Sequence, residues 1–164
     1  MILAVSGSTR SNGTNARLLR ALANLAADRK VVVYDSLHDF QPFTVDTLID
    51  ERTTRWQKAV REAEAVVICT PEYLHNIPAA LKNALEWLTT GGELADKPVV
   101  ALTATPHPPR GERAMQSLLW SLEALNARVI AQMPIYDVPG KVNEAGEISD
   151  EELRELLTLL LEQI

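Results

Sequence analysis

The 164-residue sequence predicts an α/β fold in which a parallel, doubly wound five-stranded sheet lies between two layers of helices. Two observations predict it: short apolar runs rich in β-branched residues recur along the chain, and each is followed by a segment with helical periodicity. The runs are brief and apolar enough to be buried on both faces, as parallel strands are. The predicted strands are residues 2–6, 30–34, 65–70, 98–104 and 128–130.

Helical segments alternate with these strands, and we expect residues 1–164 to form one domain. The predicted helices are residues 15–28, 48–62, 78–88, 111–125 and 150–163. Pro78 suits a first helical turn, and Ser149 and Asp150 provide a cap for the last helix. Ligands of such folds bind at the carboxyl ends of the strands. The loops after the first, third and fourth strands are therefore the candidate site.

Composition narrows the function classes. Sixteen basic and 22 acidic residues give a formal charge of −6, which disfavours nucleic acid as a partner. The single Cys69 cannot form an internal disulfide, and the first residues lack the basic start of a signal peptide. No apolar run approaches the roughly 20 residues that span a bilayer. The sequence therefore predicts a soluble cytoplasmic protein that does not bind membranes.

The loop after the first strand has the composition of a phosphate-binding loop. Residues 6–15 read SGSTRSNGTN and lead directly into a helix. Its amides and the helix dipole favour an anion, to which Arg10 adds charge and Ser8, Thr14 and Asn15 add hydrogen bonds. The loop is neither a P-loop nor the G-x-G-x-x-G dinucleotide fingerprint. A capped helix with a solvated arginine is the alternative interpretation.

The loop after the third strand carries a second motif. Residues 70–87 read TPEYLHNIPAALKNALEW, which resembles the P-E-Y-N-x-x-x-P-x-x-L-K-N-A-x-D-W motif of the flavodoxin-like NADPH-dependent FMN reductases. The first loop is similar to that family's G-S-x-R-x-x-S-x-N motif. The similarity covers most of the chain, and it implies a flavodoxin-like sheet with strand order 2-1-3-4-5.

The resemblance implies which residues hold the cofactor. Ser8, Arg10 and Asn15, with help from Thr14, would bind the FMN phosphate. The flavin ring and ribityl chain would be lined by the second loop, namely Pro71, Glu72, Tyr73, Leu74 and His75. The alternative is that the two prolines only shape a strand-to-helix loop and that Tyr73 covers the helix start.

The sequence departs from the family pattern at three places. Gly13 replaces a serine, which removes a hydroxyl, and Leu74 replaces an asparagine, which removes a polar contact and predicts weaker FMN binding. The third loop holds three prolines where many family members have a glycine-rich turn. There, His107 and Arg110 are candidates for the nicotinamide or substrate side, and solvent exposure is the alternative for both.

The resulting hypothesis is an oxidoreductase in which FMN accepts hydride from NADPH or NADH and passes electrons to a quinone, an azo compound or free flavin. A non-enzymatic FMN electron carrier and a family member without flavin are the alternatives. The resemblance also implies a homodimer or homotetramer, for which Trp87 and residues 118–120 offer apolar surface; the alternative is that these residues face the sheet. The spread of the three histidines predicts no metal site, and Cys69 is interpreted as a core residue.

Overall fold

The computed structural model describes residues 1–26, 28–46 and 48–164. It contains a five-stranded, all-parallel sheet in the order β2-β1-β3-β4-β5. This confirms the predicted doubly wound α/β fold and its strand order. The strands are β1 (Ile2–Ser6), β2 (Val31–Tyr34), β3 (Ala65–Thr70), β4 (Pro98–Thr105) and β5 (Arg128–Tyr136).

Helices cover both faces of the sheet. They are α1 (Thr14–Leu25), α2 (Glu51–Glu62), α3 (Ala79–Glu86), α4 (Glu112–Ala124), a single turn α5 (Val138–Lys141) and α6 (Glu151–Gln163). Alternate residues of β1 enter opposite cores: Leu3 and Val5 pack with α2, α3 and α4, whereas Ile2 and Ala4 pack with α1 and α6. The central strands are therefore apolar on both faces, which is the pattern that the sequence displayed.

Aspartates begin two of the helices. Asp50 accepts a hydrogen bond from the Thr53 amide at 2.7 Å, and Asp150 accepts one from the Leu153 amide at 2.8 Å. These N-caps place the start of α2 at Glu51, three residues later than predicted, and the start of α6 at Glu151, one residue later than predicted, with Asp150 as the cap. The predicted end of the first helix crosses residue 27, which lies outside the described residues, and α1 ends at Leu25.

The prediction for the fifth strand was too short. β5 runs to Tyr136, well beyond the predicted residue 130. It is an edge strand with Gln132 and Pro134 exposed, and these polar and cyclic residues interrupt the apolar run by which a buried strand is recognised. The turn α5 and a 3₁₀ turn at Leu37–Asp39 were also not predicted.

Two of the apolar residues named above as candidates for a subunit interface are buried within the chain. Trp87 is 2% exposed and donates from its indole to the Gln41 carbonyl at 3.0 Å, while Leu118 is fully buried. These two residues therefore offer no surface to another subunit, contrary to the expectation above. Trp120, at 63% exposure, does. Asn83 packs by accepting from the Phe43 amide at 2.7 Å.

Candidate functional site: a cleft at the carboxyl edge of the sheet

The loops after β1, β3 and β4 enclose a cleft at the carboxyl ends of the strands. Eight of the predicted site residues line it: Ser8, Arg10, Thr14, Asn15, Pro71, Glu72, Tyr73 and Arg110. Four further residues line it as well, namely Gly13, Ala104, Thr105 and Pro106. Leu74, His75 and His107 are not among the lining residues. The structure thus brings the two motifs together and sets three predicted residues outside.

Close packing against β3 and α3 holds the first loop in place. The Gly7 amide donates to the Cys69 carbonyl at 2.8 Å. A Cβ at Gly7 would lie 2.9 Å from both Thr70 Oγ1 and Leu81 Cδ2, closer than a Cβ ordinarily comes to other heavy atoms. Glycine is therefore required here so that the loop can turn directly over the end of the neighbouring strand.

The start of α1 lacks a side-chain cap and faces the cleft. Its N-cap residue is Gly13, which has no side chain to accept a helix amide. Ser8 Oγ accepts the Arg10 amide at 3.2 Å, and the Gly13 amide donates to the Arg10 carbonyl at 2.9 Å. These bonds fold the loop into a tight turn ahead of the helix. The first amides of α1, with the positive end of its dipole, are available to an anion.

Asn15 gives a second, independent sign that this end of α1 binds a polar group. Its residue exposure is 1%, and neither Nδ2 nor Oδ1 has a hydrogen-bond partner among the described residues. A buried amide without partners costs about 1–3 kcal/mol. Because Asn15 lines the cleft, a bound ligand would supply the missing partners.

The cleft carries positive charge on an acidic protein. Arg10 and Arg110 both line it, although the chain as a whole has a formal charge of −6. Glu72 is the one carboxylate among the lining residues, and backbone amides compensate its charge. Two arginines and an uncapped helix start therefore favour a ligand with a phosphate or another anionic group.

Glu72 joins the second loop to the start of α4. Its Oε2 accepts hydrogen bonds from the amides of Gly111, Arg113 and Ala114 at 3.0, 3.2 and 3.2 Å. Burial raises the pKa of Glu72, but these amides and the His75 imidazole outweigh it and hold the pKa below its ordinary value. The carboxylate is a helix cap, so what Glu72 can offer a ligand is its backbone and the position of its neighbours.

The residues that follow form a tight turn. Tyr73 and Asn76 exchange two backbone hydrogen bonds of 2.9 Å, and Leu74 and His75 lie between them. Leu74 is fully exposed, and the His75 side chain is 74% exposed with Nδ1 3.5 Å from Glu72 Oε1. Both predicted cofactor residues therefore lie outside the lining of the cleft, directly after Tyr73.

The third loop contributes one cation to the cleft. Thr105 Oγ1 donates to the Arg110 carbonyl at 2.7 Å, which closes the loop and sets Arg110 into the lining. His107 is exposed, and its Nδ1 lies 3.0 Å from the Pro108 carbonyl. Ala104, Thr105 and Pro106 were not named as site residues. Their position at the end of a predicted strand was the available signal.

Other candidate chemistry gains no support from the described part of the chain. Cys69 is fully buried in β3, and burial raises the pKa of its thiol, in keeping with the core interpretation. Among the described residues, no group of three or more His, Cys, Asp or Glu side chains is arranged to hold a metal ion. Within those same residues, no helix is both long and apolar enough to cross a membrane.

A helix start suited to an anion, in a cleft at the switch point of a parallel sheet, is typical of α/β proteins that bind nucleotide cofactors. The sequence profile of the NADPH-dependent FMN reductases matches residues 1–136. The chain belongs to this family, which confirms the resemblance that its two loops indicated. The family is one of oxidoreductases that use FMN and NAD(P)H, as predicted.

Individual relatives agree with the family assignment. The chain is 32% identical to an NADH:(hydroxy)cinnamate reductase subunit of Vibrio ruber, over 91% of this chain and 77% of that protein. It is 30% identical to a quinone reductase of Escherichia coli, over 96% and 89% of the two chains. The fold resembles that of a Paracoccus denitrificans flavoenzyme, an NAD(P)H:(acceptor) oxidoreductase, with a TM-score of 0.81, 20% identity and coverage of 98% and 92%.

The cleft has the donors that FMN requires. The phosphate needs hydrogen-bond donors and positive charge, which the start of α1, the partnerless amide of Asn15 and Arg10 offer. A flavin ring needs a flat wall with backbone groups at its edge, and Pro71 and Tyr73 line the same cleft as the start of α1. The residues present therefore fit the cofactor of the family.

Proposed function

We propose that this protein is an FMN-dependent NAD(P)H oxidoreductase that reduces a small acceptor of the quinone, azo or free-flavin kind. Ser8, Arg10, Thr14 and Asn15 would hold the FMN phosphate, and the loop at residues 71–75 would border the ring and ribityl chain. The observation that carries the proposal is the buried amide of Asn15, which finds no partner among residues 1–26, 28–46 and 48–164 and lies at the Gly13-capped helix start in a cationic cleft.

The mechanism assigns chemistry to the cofactor and placement to the protein. Bound FMN would supply the redox step, accepting a hydride from NADPH or NADH and returning two electrons to the acceptor. The amides of α1 and Arg10 fix the phosphate end. Glu72 fixes the second loop to α4, so that Tyr73 keeps its place on the wall of the cleft. No titrating side chain is needed for the hydride itself.

Arg110 belongs to the side on which the nicotinamide donor would bind. It lines the cleft from the third loop, and a guanidinium can pair with a phosphate through two parallel hydrogen bonds. His107, beyond it on the exposed loop, would contact a donor or acceptor only at the rim. We therefore assign Arg110 to the attraction of NADPH and leave His107 at the periphery of this site.

The test begins with Arg10→Ala. We expect the variant to bind FMN about tenfold more weakly, because one exposed charge-assisted contact to phosphate is worth about 1.5 kcal/mol. FMN titration followed by flavin fluorescence measures it, and anaerobic addition of NADPH should then bleach the oxidised-flavin absorbance of the wild type. Arg128→Ala is the matched control, since Arg128 is exposed at the opposite edge of the sheet.

Other outcomes of the same experiment would select another function. Saturable FMN binding without bleaching by either nicotinamide would indicate the electron carrier. If the wild type binds no FMN and Arg10→Ala behaves identically, the protein is a family member without flavin, and the proposal is wrong. Gly13 and Leu74, where family side chains are missing, predict an affinity at the weak end of the family's range.

The proposal includes a homodimer, or a homotetramer built from it. A largely apolar groove between α3 and α4 is lined by Leu85, Leu125 and the exposed Trp120. Lys82 and Glu86 pair with each other at 2.7 Å along the same groove and give it a charged rim. An exposed tryptophan over an apolar groove with a polar rim is the usual anatomy of a protein interface, and we assign it to a second copy.

Trp120→Ser tests this interface. We expect the variant to be monomeric at micromolar concentration, because an aromatic anchor at the centre of an interface commonly contributes about 2 kcal/mol or more. Light scattering coupled to gel filtration measures the mass, and Leu159→Ser, an exposed leucine on α6, is the control. A wild type that is already monomeric, or a Trp120→Ser variant that keeps the mass of the wild type, would contradict the assignment.

We propose that residues 1–164 act as one flavin-binding domain in the cytoplasm and that its partners are small molecules, without nucleic acid or membrane. The net charge of −6 opposes binding to a polyanion. The single cysteine is fully buried, in keeping with a reducing compartment.

A further inference from the structure

The turn at the tip of the second loop contains a leucine, Leu74, in a left-handed backbone conformation. Leu74 and His75 both have positive φ, 49° and 60°, between the paired residues Tyr73 and Asn76. Two consecutive positive φ values are typical of a type I′ turn, in which asparagine and glycine are strongly preferred. A leucine with this backbone is strained, because its side chain crowds the adjacent carbonyl.

The surrounding contacts hold this turn in place from both sides. Before it, the Glu72 carboxylate binds the amides that begin α4. After it, Asn76 Oδ1 accepts the Ile77 amide at 2.8 Å and the Ser117 hydroxyl of α4 at 2.6 Å. The turn is therefore fastened to α4 at two points, and the strain at Leu74 cannot relax by moving the loop.

The side chain of Leu74 is not packed against the core, so burial does not offset this strain. Its side chain is 100% exposed, so the apolar atoms contact water rather than the core. It follows directly after Tyr73, which lines the cleft and is itself 46% exposed. Strain that persists without a packing benefit indicates a role in function, since substitution by asparagine would remove it at once.

We propose that Leu74 is a specificity residue of the acceptor site, where it forms, with Tyr73, an apolar edge against which a flat apolar acceptor such as a naphthoquinone packs. The inference rests on the proposed function and deepens it by naming the class of acceptor. A rigid turn presents the leucine in a fixed place, so the contact does not require the loop to become ordered on binding. Hydrophilic acceptors gain nothing from this edge.

Leu74→Asn separates strain from acceptor binding. In the flavin-free protein we expect Tm to rise by about 2 °C, because asparagine tolerates this backbone. Equilibrium dialysis of menadione against the oxidised, FMN-loaded protein should show about tenfold weaker binding, as loss of a packed leucine side chain implies. With NADPH as donor and FMN saturating, the ratio of kcat/KM for menadione to kcat/KM for ferricyanide should fall by the same factor. Leu159→Gln, an exposed leucine on the other face, should alter none of these values.

The outcomes are distinct from failure of the proposed function. If the wild type transfers no electrons from NADPH, the proposed activity is wrong, while menadione dialysis still decides the role of Leu74. Unchanged menadione binding in Leu74→Asn, or equal losses with menadione and ferricyanide, would overturn the inference. So would a lower oligomeric mass of Leu74→Asn with unaltered menadione binding, which would make the leucine a contact between two copies of the chain.

Discussion

Asn15→Leu is expected to stabilise the flavin-free protein and at the same time to weaken FMN binding about a hundredfold. The two effects have one cause. The amide of Asn15 is buried and has no hydrogen-bond partner in the part of the chain that the structure describes, so replacing it by an apolar group of similar size removes a desolvation cost of about 1 kcal/mol or more. The same change removes a hydrogen bond to a charged phosphate, which is worth about 2–3 kcal/mol.

Two measurements on one variant check this prediction. Urea unfolding of the apo protein gives the free energy of unfolding, and FMN titration gives the affinity. Asn24→Leu is the matched control, because Asn24 lies on the same helix and its Nδ2 already donates to the Ala145 carbonyl at 3.1 Å. That control should lose stability and keep its FMN affinity. An Asn15→Leu variant that is less stable and binds FMN normally would remove Asn15 from the phosphate site.

Glu72→Gln is expected to destabilise the protein by about 2 kcal/mol, because it removes the charge from a buried cap that serves three backbone amides. The neutral amide can still accept hydrogen bonds at one oxygen, but its NH₂ group would face other donors. Glu51→Gln is the control. Glu51 also lies in the first turn of a helix but is exposed and pairs with Arg55 on the same helix, so its loss should be small.

The pH dependence of the same group gives an independent check. The folded-state pKa of Glu72 is lowered, so its contribution to stability is fully present above the unfolded pKa, about 4.3 for glutamate. It is lost as the pH falls through the lower, folded-state pKa. The stability gap between the wild type and Glu72→Gln should therefore be constant near pH 7 and shrink below about pH 4.3. A gap that is independent of pH down to unfolding would contradict the ionised cap.

Central elements of this fold could be predicted and peripheral ones could not. The apolar runs of β1 and β3 are buried on both faces, so composition alone marks them, and both strands have the predicted bounds. β5 lies at the edge, where exposed residues break the run, and only its start was found. The start of α2 is set by the Asp50 cap. The apolar residues 48 and 49 fit the helical pattern as well, so the sequence predicted a start three residues too early.

The site could be predicted where loops act through backbone and short polar side chains. Ser8, Thr14 and Asn15 sit next to a strand-to-helix junction, and their place in the lining of the cleft could be predicted from helix geometry. The role of the Glu72 carboxylate could not be predicted, because its partners at the start of α4 are 39 to 42 residues away in sequence. Likewise, the positive φ of Leu74 is a tertiary property that a motif alignment cannot show.

The free edge of β5 influences how the molecule can associate. Sheets grow by adding a strand whose N–H and C=O groups match those of the exposed edge, and β5 is nine residues long. Near its end stands Pro134, which has no N–H to donate, and a register shift between Val99 and Val100 disturbs the ladder near its start. A continuous ribbon through many molecules is thereby disfavoured. The sheet therefore resists extension at this edge, and the groove between α3 and α4 remains the surface proposed for a second copy.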